Sequence, residues 1–291
     1  MTSVARNLKY VIEKEFDGKR VMEYIRGKLR FSSRLVKLLK KQPDGIMLNS
    51  SHARTIDPIS CGDVLEINIP DDEVPARASD VDAPVVYADD DVIVFNKPAF
   101  MPVHPTRNHQ GDTLANVYAA YLAQKGIYAA FRPINRLDRD TTGLVVCGIN
   151  QYAASRLTGS VDKVYYAVAC GRLEGSGTID APIARRDERL ITREVAENGD
   201  RAVTHWQVVG NNADTETLLR ITLETGRTHQ IRVHFSHIGH PLVGDTMYGT
   251  SDKRITRQAL HCAQVSFTHP VSGEKIFIKT DIPDDMKGLM G

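Results

Sequence analysis

The sequence predicts an α+β protein in which a small N-terminal unit precedes a larger second unit. Three observations support this fold class. Helical and strand patterns share the first 70 residues, an acidic proline-containing segment follows, and mostly strand-like patterns fill the rest of the chain. A chain of 291 residues has room for one large and one small folded unit.

Within the N-terminal unit, residues 1–70, the segment from residue 18 to about residue 70 is predicted to contain two short helices followed by strands. Ser32 is a suitable N-cap for the second helix, because its hydroxyl can accept a hydrogen bond from a free backbone N–H. Apolar residues at helical spacing predict the buried helix faces: Val21, Ile25, Leu35, Leu38 and Leu39. A half-buried strand is predicted where Leu65, Ile67 and Ile69 alternate with polar residues.

Basic residues are concentrated in this unit. Residues 19–41 contain nine Lys or Arg and one acid, although the whole chain has a formal net charge of only +1. Arg34, Lys37 and Lys41 are expected on the polar face of the second helix. Such a face favours binding to the phosphates of a nucleic acid, whereas the alternative is a solvated helix surface.

Residues 71–84 are predicted to be an extended, mobile linker. From residue 70 to residue 84 the chain has three prolines and five acids against one arginine. This composition is typical of a connection between folded units rather than of a buried element.

The large unit, residues 85–291, shows short apolar strand patterns at 92–95, 144–146, 164–169 and 218–223. The last of these strands turns at Gly226 into a helical segment that carries Ile231, Phe235 and Ile238. Most of the unit is therefore expected to be sheet, with a few helices.

The compartment is predicted from cysteine usage and from the absence of a targeting pattern. Cys61, Cys147, Cys170 and Cys262 form no C-x-x-C pair, which indicates reduced thiols rather than disulfides or a zinc ribbon. No apolar run approaches the length of a membrane span, and residues 1–10 lack an apolar signal core. We expect a cytoplasmic protein that acts as a monomer and does not bind membranes.

A loop at residues 136–144, RLDRDTTGL, places two acids and two arginines between apolar strands. Loops held by a rigid sheet often carry catalytic groups. From composition alone, a surface turn with salt bridges is the simpler interpretation. A carboxylate pair, Asp138 and Asp140, would also be compatible with a glycosidase.

A second segment, residues 225–234, has an arginine close to the expected start of a helix. Helix N-termini and arginines both favour anions, so a phosphate or a partner carboxylate could bind here. His229, His234, His237 and His240 follow at spacings that match no zinc motif, so hydrogen bonding or RNA contact is the favoured interpretation.

Taken together, five segments of the large unit resemble the RluA-type pseudouridine synthases. They occur in this order: NKPAFMPVHP (96–105), NRLDRDTTGL (135–144), KVYYAVACG (163–171), GRTHQIRVH (226–234) with GHPLVGDTMYG (239–249), and QALHCAQVSFTHPVSGE (258–274). FSSRLVKLLKK, GIMLN and CGDVLEINIP of the N-terminal unit are similar to an S-four-type RNA-binding domain. The resemblance implies a mixed, mainly antiparallel sheet with flanking helices.

The resemblance also implies the roles of individual residues. Asp138 would be the catalytic carboxylate, Arg227 its charge partner, and Tyr165 the ring that stacks on the extruded uracil. Arg136 would fill or brace the gap that the base leaves. The expected reaction moves uracil from an N1 to a C5 attachment on C1′, so no cofactor and no metal are expected.

This chain departs from the usual motifs at three positions. Asn135 stands where His is common, Thr142 where Ser is common, and Phe100 where Gly is frequent. None of the three removes a reacting group, but the shape of the loop that contains Phe100 is open.

The expected partner is structured RNA, with large-subunit ribosomal RNA as the first candidate. Transfer RNA is the alternative substrate. A non-catalytic RNA-binding or assembly protein would use the basic N-terminal unit without needing Asp138.

Overall fold

The computed structural model describes residues 6–70, 76–78, 80–187, 190–212 and 215–291. Of the expected linker, residues 71–84, the structure describes 76–78 and 80–84. The prediction that this linker is extended and mobile falls partly on residues outside the described ones. None of the described helices is long and apolar enough to cross a membrane.

The N-terminal unit contains a four-stranded antiparallel sheet in the order β1-β4-β2-β3. Its strands are β1 (Arg6–Val11), β2 (Ile46–Leu48), β3 (Ser51–His52) and β4 (Val64–Ile69). Its helices are the short α1 (Val21–Glu23), which continues as a π-helical turn (Tyr24–Lys28), and α2 (Ser33–Leu39). A 3-10 turn covers Lys14–Phe16.

The sequence patterns correctly predicted α2 and β4. Ser32 caps α2 by accepting a hydrogen bond from the Leu35 backbone N–H at 3.2 Å, and the apolar residues of β4 are buried. From residue 18 onward the chain has the predicted order of helices followed by strands. β1 lies before that segment, was not predicted, and pairs with β4. β1 carries few apolar residues, and its partner strand lies more than 50 residues away along the chain.

The large unit is built on a nine-stranded sheet in the order β5-β6-β7-β14-β8-β13-β12-β9, with β15 paired to β14. The strands are β5 (Val85–Ala88), β6 (Val92–Lys97), β7 (Thr142–Gly148), β8 (Asp162–Cys170), β9 (Ser176–Asp180), β12 (Val203–Asn212), β13 (Glu216–Leu223), β14 (Leu260–Thr268) and β15 (Lys275–Lys279). A separate hairpin consists of β10 (Ile183–Arg185) and β11 (Arg193–Val195). The helices are α3 (Leu114–Gln124), α4 (Gln151–Leu157), α5 (Gln230–His237) and α6 (Asp284–Lys287).

Only the β7–β14 pairing of this sheet is parallel, so the predicted mixed, mainly antiparallel sheet is confirmed. Its apolar residues form the main core, which includes every residue from Val92 to Phe95 and from Leu144 to Cys147. These are the segments that the sequence shows as uninterrupted apolar runs, as expected for strands covered on both faces.

The two units are in contact rather than separated. The Arg6 guanidinium of β1 donates two hydrogen bonds to the Asp91 carboxylate, at 2.8 and 2.6 Å. Next to this ion pair, the Phe31 ring packs on the Tyr152 ring of α4 with 4.8 Å between centroids. The N-terminal unit is therefore seated on the large unit next to β6 and α4.

Candidate active site

Asp138 lies in the loop that precedes β7, and three contacts fix the course of this loop. The Thr141 backbone N–H donates to the Asp138 carbonyl at 3.1 Å, and the Gln258 amide donates to the Thr141 hydroxyl at 3.0 Å. Gly143 has φ +114°, and a Cβ there would lie 2.3 Å from the Cys262 carbonyl oxygen of β14. A glycine is therefore required where the loop enters the sheet.

Lys97, at the end of β6, fixes the loop from its other side. Its buried ammonium donates to the carbonyls of Pro98, Met101 and Arg139 at 2.8, 2.8 and 2.9 Å. Burial lowers the pKa of Lys97 to about 7, against the charges of Asp140 and Asp138, which raise it. Lys97 thus ties the 98–101 loop to the loop that carries Asp138.

The charge partner of Asp138 is Arg232 of α5. Its Nη1 donates to Oδ2 of Asp138 at 3.0 Å, while Nε and Nη2 donate to the fully buried Asp245 carboxylate at 2.7 and 2.8 Å. The expectation that Arg227 forms this pair was wrong. Burial acts to lower the pKa of the Arg232 guanidinium, but bonds and charges from Asp245 and Asp138 outweigh it and raise the pKa.

Arg227 lies in the same cleft but points to other partners. Its Nε donates to the Arg201 carbonyl at 3.1 Å and its Nη1 to the Asp200 carboxylate at 3.3 Å. Its backbone N–H donates to the Gln230 side chain at 2.9 Å, so Gln230 occupies the start of α5, where an anion was considered. Arg227 belongs to the rim of the cleft, next to the β10–β11 hairpin.

Tyr165 of β8 lines the cleft together with Asp138, Arg136, Leu223, Arg232 and Leu260. Burial, together with the neighbouring Cys262, raises the pKa of the Tyr165 phenol well above its ordinary value. The hydroxyl therefore stays protonated at neutral pH. The Tyr165 backbone is paired in the sheet opposite Cys262 of β14 on one side and Ile221 of β13 on the other.

Two further charged residues of the loop, Arg136 and Asp140, differ in whether they line the cleft. Arg136 is exposed and lines the cleft. The Asp140 carboxylate accepts two hydrogen bonds from Arg139 at 2.7 and 3.0 Å and is not among the residues that line the cleft. The geometry of a carboxylate pair, as a glycosidase would need, is therefore not formed by Asp138 and Asp140.

The three departures from the usual motifs have distinct structural effects. Asn135 donates to the Leu144 carbonyl at 3.0 Å and accepts from the Val146 N–H at 2.9 Å, so it pairs with β7 like a strand residue. The Thr142 hydroxyl contacts His261 at 2.8 Å. Phe100 adopts φ +63°, the left-handed conformation that favours glycine, so the loop keeps its turn at the cost of backbone strain.

The histidines near α5 contact different groups. His234 is buried between the Thr204 hydroxyl at 2.8 Å and the Ala181 carbonyl at 2.9 Å. His240 contacts the Cys170 carbonyl at 2.9 Å, whereas His229 approaches Asp138. The favoured interpretation of hydrogen-bonded histidines agrees with these contacts.

Potential metal ligands meet elsewhere in the described residues. Asp89, Asp91 and His269 have ligand atoms within 4.8 Å of one another. Both oxygens of Asp91 are bonded to Arg6, and Asn150 donates to one of them at 2.8 Å. The Arg6 guanidinium therefore neutralises the negative charge of Asp91 that a metal cation would need. The cluster serves instead as a contact between the two units.

The basic face of α2 lies outside this cleft. Arg34, Lys37 and Lys41 are all exposed, as the sequence predicted. Lys37 and Lys41 border a shallow groove with an apolar floor that includes Met22 and Val36. The groove offers ammonium groups beside an apolar surface.

The family model for RNA pseudouridylate synthase matches residues 91–237, which contain the Asp138 loop, Tyr165 and Arg232. The chain belongs to the RluA-type pseudouridine synthases. It is 37% identical to the "Uncharacterized RNA pseudouridine synthase YjbO" of Bacillus subtilis over 93% of this chain and 98% of that protein. It is also 37% identical to the "Ribosomal large subunit pseudouridine synthase D" of Salmonella typhimurium over 76% of this chain and 73% of that protein.

A solved structure gives the same result for this RNA pseudouridine synthase. The structure of human RNA Pseudouridylate Synthase Domain Containing 1 matches 72% of this chain and 86% of its own, with a TM-score of 0.59 and 27% identity. The fold of this solved structure therefore agrees with the family assignment. The chain is an enzyme, an isomerase that modifies RNA.

Sequence reasoning missed Arg232, Asp245 and Lys97 at this site. A signal for Arg232 was present: it lies between the apolar residues Ile231 and Val233 in the predicted helical segment, and an arginine that is buried there requires a carboxylate partner. No comparable signal distinguished Asp245 from other acids. Lys97 belongs to the segment NKPAFMPVHP (96–105), but no role was predicted for it.

Proposed function

We propose that this pseudouridine synthase acts on large-subunit ribosomal RNA and that Asp138 is its catalytic carboxylate. The observation that carries the proposal is the geometry of Asp138: its side chain is 19% exposed in the cleft, and Arg232 holds one of its two oxygens. The Arg232 hydrogen bond fixes the orientation of the carboxylate that would act on C1′.

The reaction needs no imported group. The N1–C1′ bond breaks, the uracil turns within the cleft, and a C5–C1′ bond forms; N1 gains a proton and C5 loses one. An ionised Asp138 suits covalent attack on C1′ as well as elimination to a glycal. No cofactor and no metal are part of the proposal, because neither redox nor phosphoryl chemistry occurs.

Two neighbours of Asp138 are proposed to handle the extruded nucleotide. The Tyr165 ring is buried beside Asp138 and would stack on the uracil, which is worth about 1–3 kcal/mol. Arg136, exposed at the rim of the cleft, would fill the space that the base leaves in the RNA. Extrusion is least costly for unpaired bases, so uridines in loops are the proposed targets.

Tyr165→Phe and Tyr165→Ala form a matched pair. We expect Tyr165→Phe to retain turnover because it keeps the ring, whereas Tyr165→Ala should lose about 10- to 100-fold in kcat/KM through lost stacking. Release of tritium from C5-labelled uridine measures turnover. An inactive Tyr165→Phe would instead assign the chemistry to the hydroxyl.

The N-terminal unit is proposed to be an S-four-type RNA-binding domain that uses Arg34, Lys37 and Lys41. A deletion of this unit would also remove Arg6 from Asp91, so charge-neutral variants of α2 are the cleaner test. Arg34→Gln/Lys37→Gln/Lys41→Gln should weaken binding to folded ribosomal RNA and reduce the slope of log K against log salt by about 2–3. Lys275→Gln/Lys279→Gln on β15 provides the control, and an unchanged slope in the α2 variant would contradict RNA binding there.

The substrate is supported by relatives that are named as ribosomal large-subunit enzymes and by the basic N-terminal unit. Pseudouridine mapping in total RNA, from cells with and without the gene, tests it. We expect loss from one or a few positions of large-subunit ribosomal RNA. Loss from transfer RNA alone would make transfer RNA the substrate.

We further propose that the enzyme works as a monomer in the cytoplasm. The four cysteines are free thiols, and Cys147 and Cys262 are buried. Sedimentation of the enzyme with and without RNA would measure its oligomeric state.

A further inference from the structure

His229 occupies an unusual backbone conformation beside Asp138. It precedes α5 with φ 59° and ψ 17°, in the left-handed region. This conformation costs about 1–3 kcal/mol for a residue other than glycine, and such strain is retained where the surrounding structure requires it. The imidazole is 10% exposed and faces the cleft.

A chain of hydrogen bonds determines which nitrogen of His229 carries the proton. The Arg193 backbone N–H of β11 donates to the Tyr248 hydroxyl oxygen at 2.8 Å, and the same hydroxyl lies 2.7 Å from Nδ1 of His229. The hydroxyl has one proton. Its oxygen accepts from Arg193, and donation to Nδ1 is the arrangement in which the hydroxyl proton also has a partner; Nδ1 is then the acceptor.

The neutral ring therefore carries its hydrogen on Nε2. Burial, with the charges of Arg232 and Arg193, lowers the pKa of His229 against the influence of Asp138, so the ring is neutral at pH 7.5. Nε2 lies 3.8 Å from Oδ2 of Asp138, the same oxygen that Arg232 binds at 3.0 Å. Within the described part of the chain, no hydrogen bond is made to the other oxygen, Oδ1.

We infer that His229 is a positioning residue that, as the Nε2–H tautomer favoured by Tyr248, faces the Oδ2 of Asp138 that Arg232 binds and helps to direct Oδ1 at the substrate. Rotation about the last side-chain bond of an aspartate is soft, so one donor leaves the carboxylate plane free to tilt. An Nε2–H dipole 3.8 Å from the same oxygen is too far away to form a hydrogen bond, but its positive end attracts the carboxylate and restricts this tilt. The inference rests on the proposed catalytic role of Asp138.

The tautomer is measurable in the free enzyme, without any assay. Long-range proton–nitrogen NMR spectra of the full chain with ¹⁵N-labelled histidine distinguish a protonated ring nitrogen from an unprotonated one. His229→Asn assigns the signals, since Asn tolerates positive φ. We expect Nε2 protonated at pH 7.5 and a mixture of tautomers in Tyr248→Phe; a proton on Nδ1 in the wild-type enzyme would overturn the inference.

Kinetics test the consequence for Asp138. His229→Asn and Tyr248→Phe should each reduce kcat by about 10- to 100-fold, the range expected for a displaced catalytic group, with KM within about threefold. His237→Asn, at the exposed end of the same helix, is the control and should match the wild type. Full kcat in both His229→Asn and Tyr248→Phe would overturn the inference, whereas full kcat in Asp138→Asn would overturn the proposed function first.

Discussion

Two arginine–aspartate pairs in different regions of the molecule show how similar contacts serve different purposes. At the contact between the units, Asp91 is 2% exposed, and its two oxygens accept bonds from Arg6 and Asn150. In the cleft, Asp138 is 19% exposed, and its bonded oxygen accepts one hydrogen bond, from Arg232. Both oxygens of Asp91 are bonded within the protein, whereas Oδ1 of Asp138 accepts no hydrogen bond from the described residues, which agrees with its proposed role towards the substrate.

The two arginines, Arg232 and Arg6, also differ in burial and in how firmly they are fixed. Arg232 is 6% exposed and fixed by the fully buried Asp245, so it enters the cleft as a preorganised cation. Arg6 is 23% exposed and has no second buried anion of this kind. A rigid donor is useful where charge must be held in one place during a reaction, because no reorganisation is then needed.

The largest expected effect separates Arg232 from Arg227. Arg232→Met should reduce kcat by about 100-fold or more, because Asp138 loses its fixed donor. It should also destabilise the fold by about 3–5 kcal/mol, because the buried Asp245 keeps only backbone hydrogen bonds and loses its charge partner. Tritium release and urea denaturation measure the two effects.

Arg227→Met is the matched control from the same segment. It should keep kcat within about threefold and change mainly KM, since Arg227 contacts Asp200 at the rim of the cleft. Near-normal turnover in Arg232→Met, with loss in Arg227→Met, would reverse the assignment of the charge partner.

Removing either partner of the Arg6–Asp91 ion pair between the units should lower stability by different amounts. Arg6→Met leaves the buried Asp91 charge unpaired and should cost about 3–5 kcal/mol, whereas Asp91→Asn leaves a partly exposed Arg6 and should cost less. Denaturation midpoints of both variants, with activity on a short loop oligonucleotide, provide the comparison. A greater loss in Asp91→Asn would contradict the account of this ion pair.

Acid should affect the large unit more than the N-terminal unit. Burial lowers the pKa of His261 to about 4, below the value of about 6.5 in an unfolded chain. Between these values the unfolded state binds more protons, so the free energy of unfolding falls as pH falls, by up to about 1.4 kcal/mol per pH unit. His261→Gln should reduce this slope between pH 6.5 and 4; an unchanged slope would remove His261 as a cause.

The smallest expected effect concerns Phe100. Phe100→Gly should relieve the positive φ and raise the free energy of unfolding by up to about 1 kcal/mol, after the greater flexibility of the unfolded chain is subtracted. Thermal denaturation measures it. A clear loss of stability would show that packing of the ring outweighs the backbone strain.

The sequence predicts more of the fold than of the site. Uninterrupted apolar runs at β6 and β7 and the alternation in β4 identify strands because their burial follows from local composition. β1 was missed since its pairing with β4 is a long-range contact. The Arg6–Asp91 contact joins residues 85 positions apart and leaves no local pattern.

Within the site, motif position and side-chain direction are separate questions. Arg227 and Arg232 belong to one segment, and only the left-handed turn at His229 and the start of α5 determine which of them reaches Asp138. In the structure, Asp138, Tyr165 and Arg136 line the same cleft, as the resemblance implied. Their roles remain predictions.

The most direct measurement is tritium release from C5-labelled uridine in large-subunit ribosomal RNA by the wild-type enzyme and by Asp138→Asn, with RNA affinity measured in parallel. Asp138→Asn keeps the size of the side chain and removes its charge. We predict release by the wild-type enzyme, none by the variant, and RNA affinities within a few-fold of each other. Substantial release by Asp138→Asn, or an equal loss of release in Asp140→Asn, would contradict the assignment of Asp138 as the catalytic carboxylate.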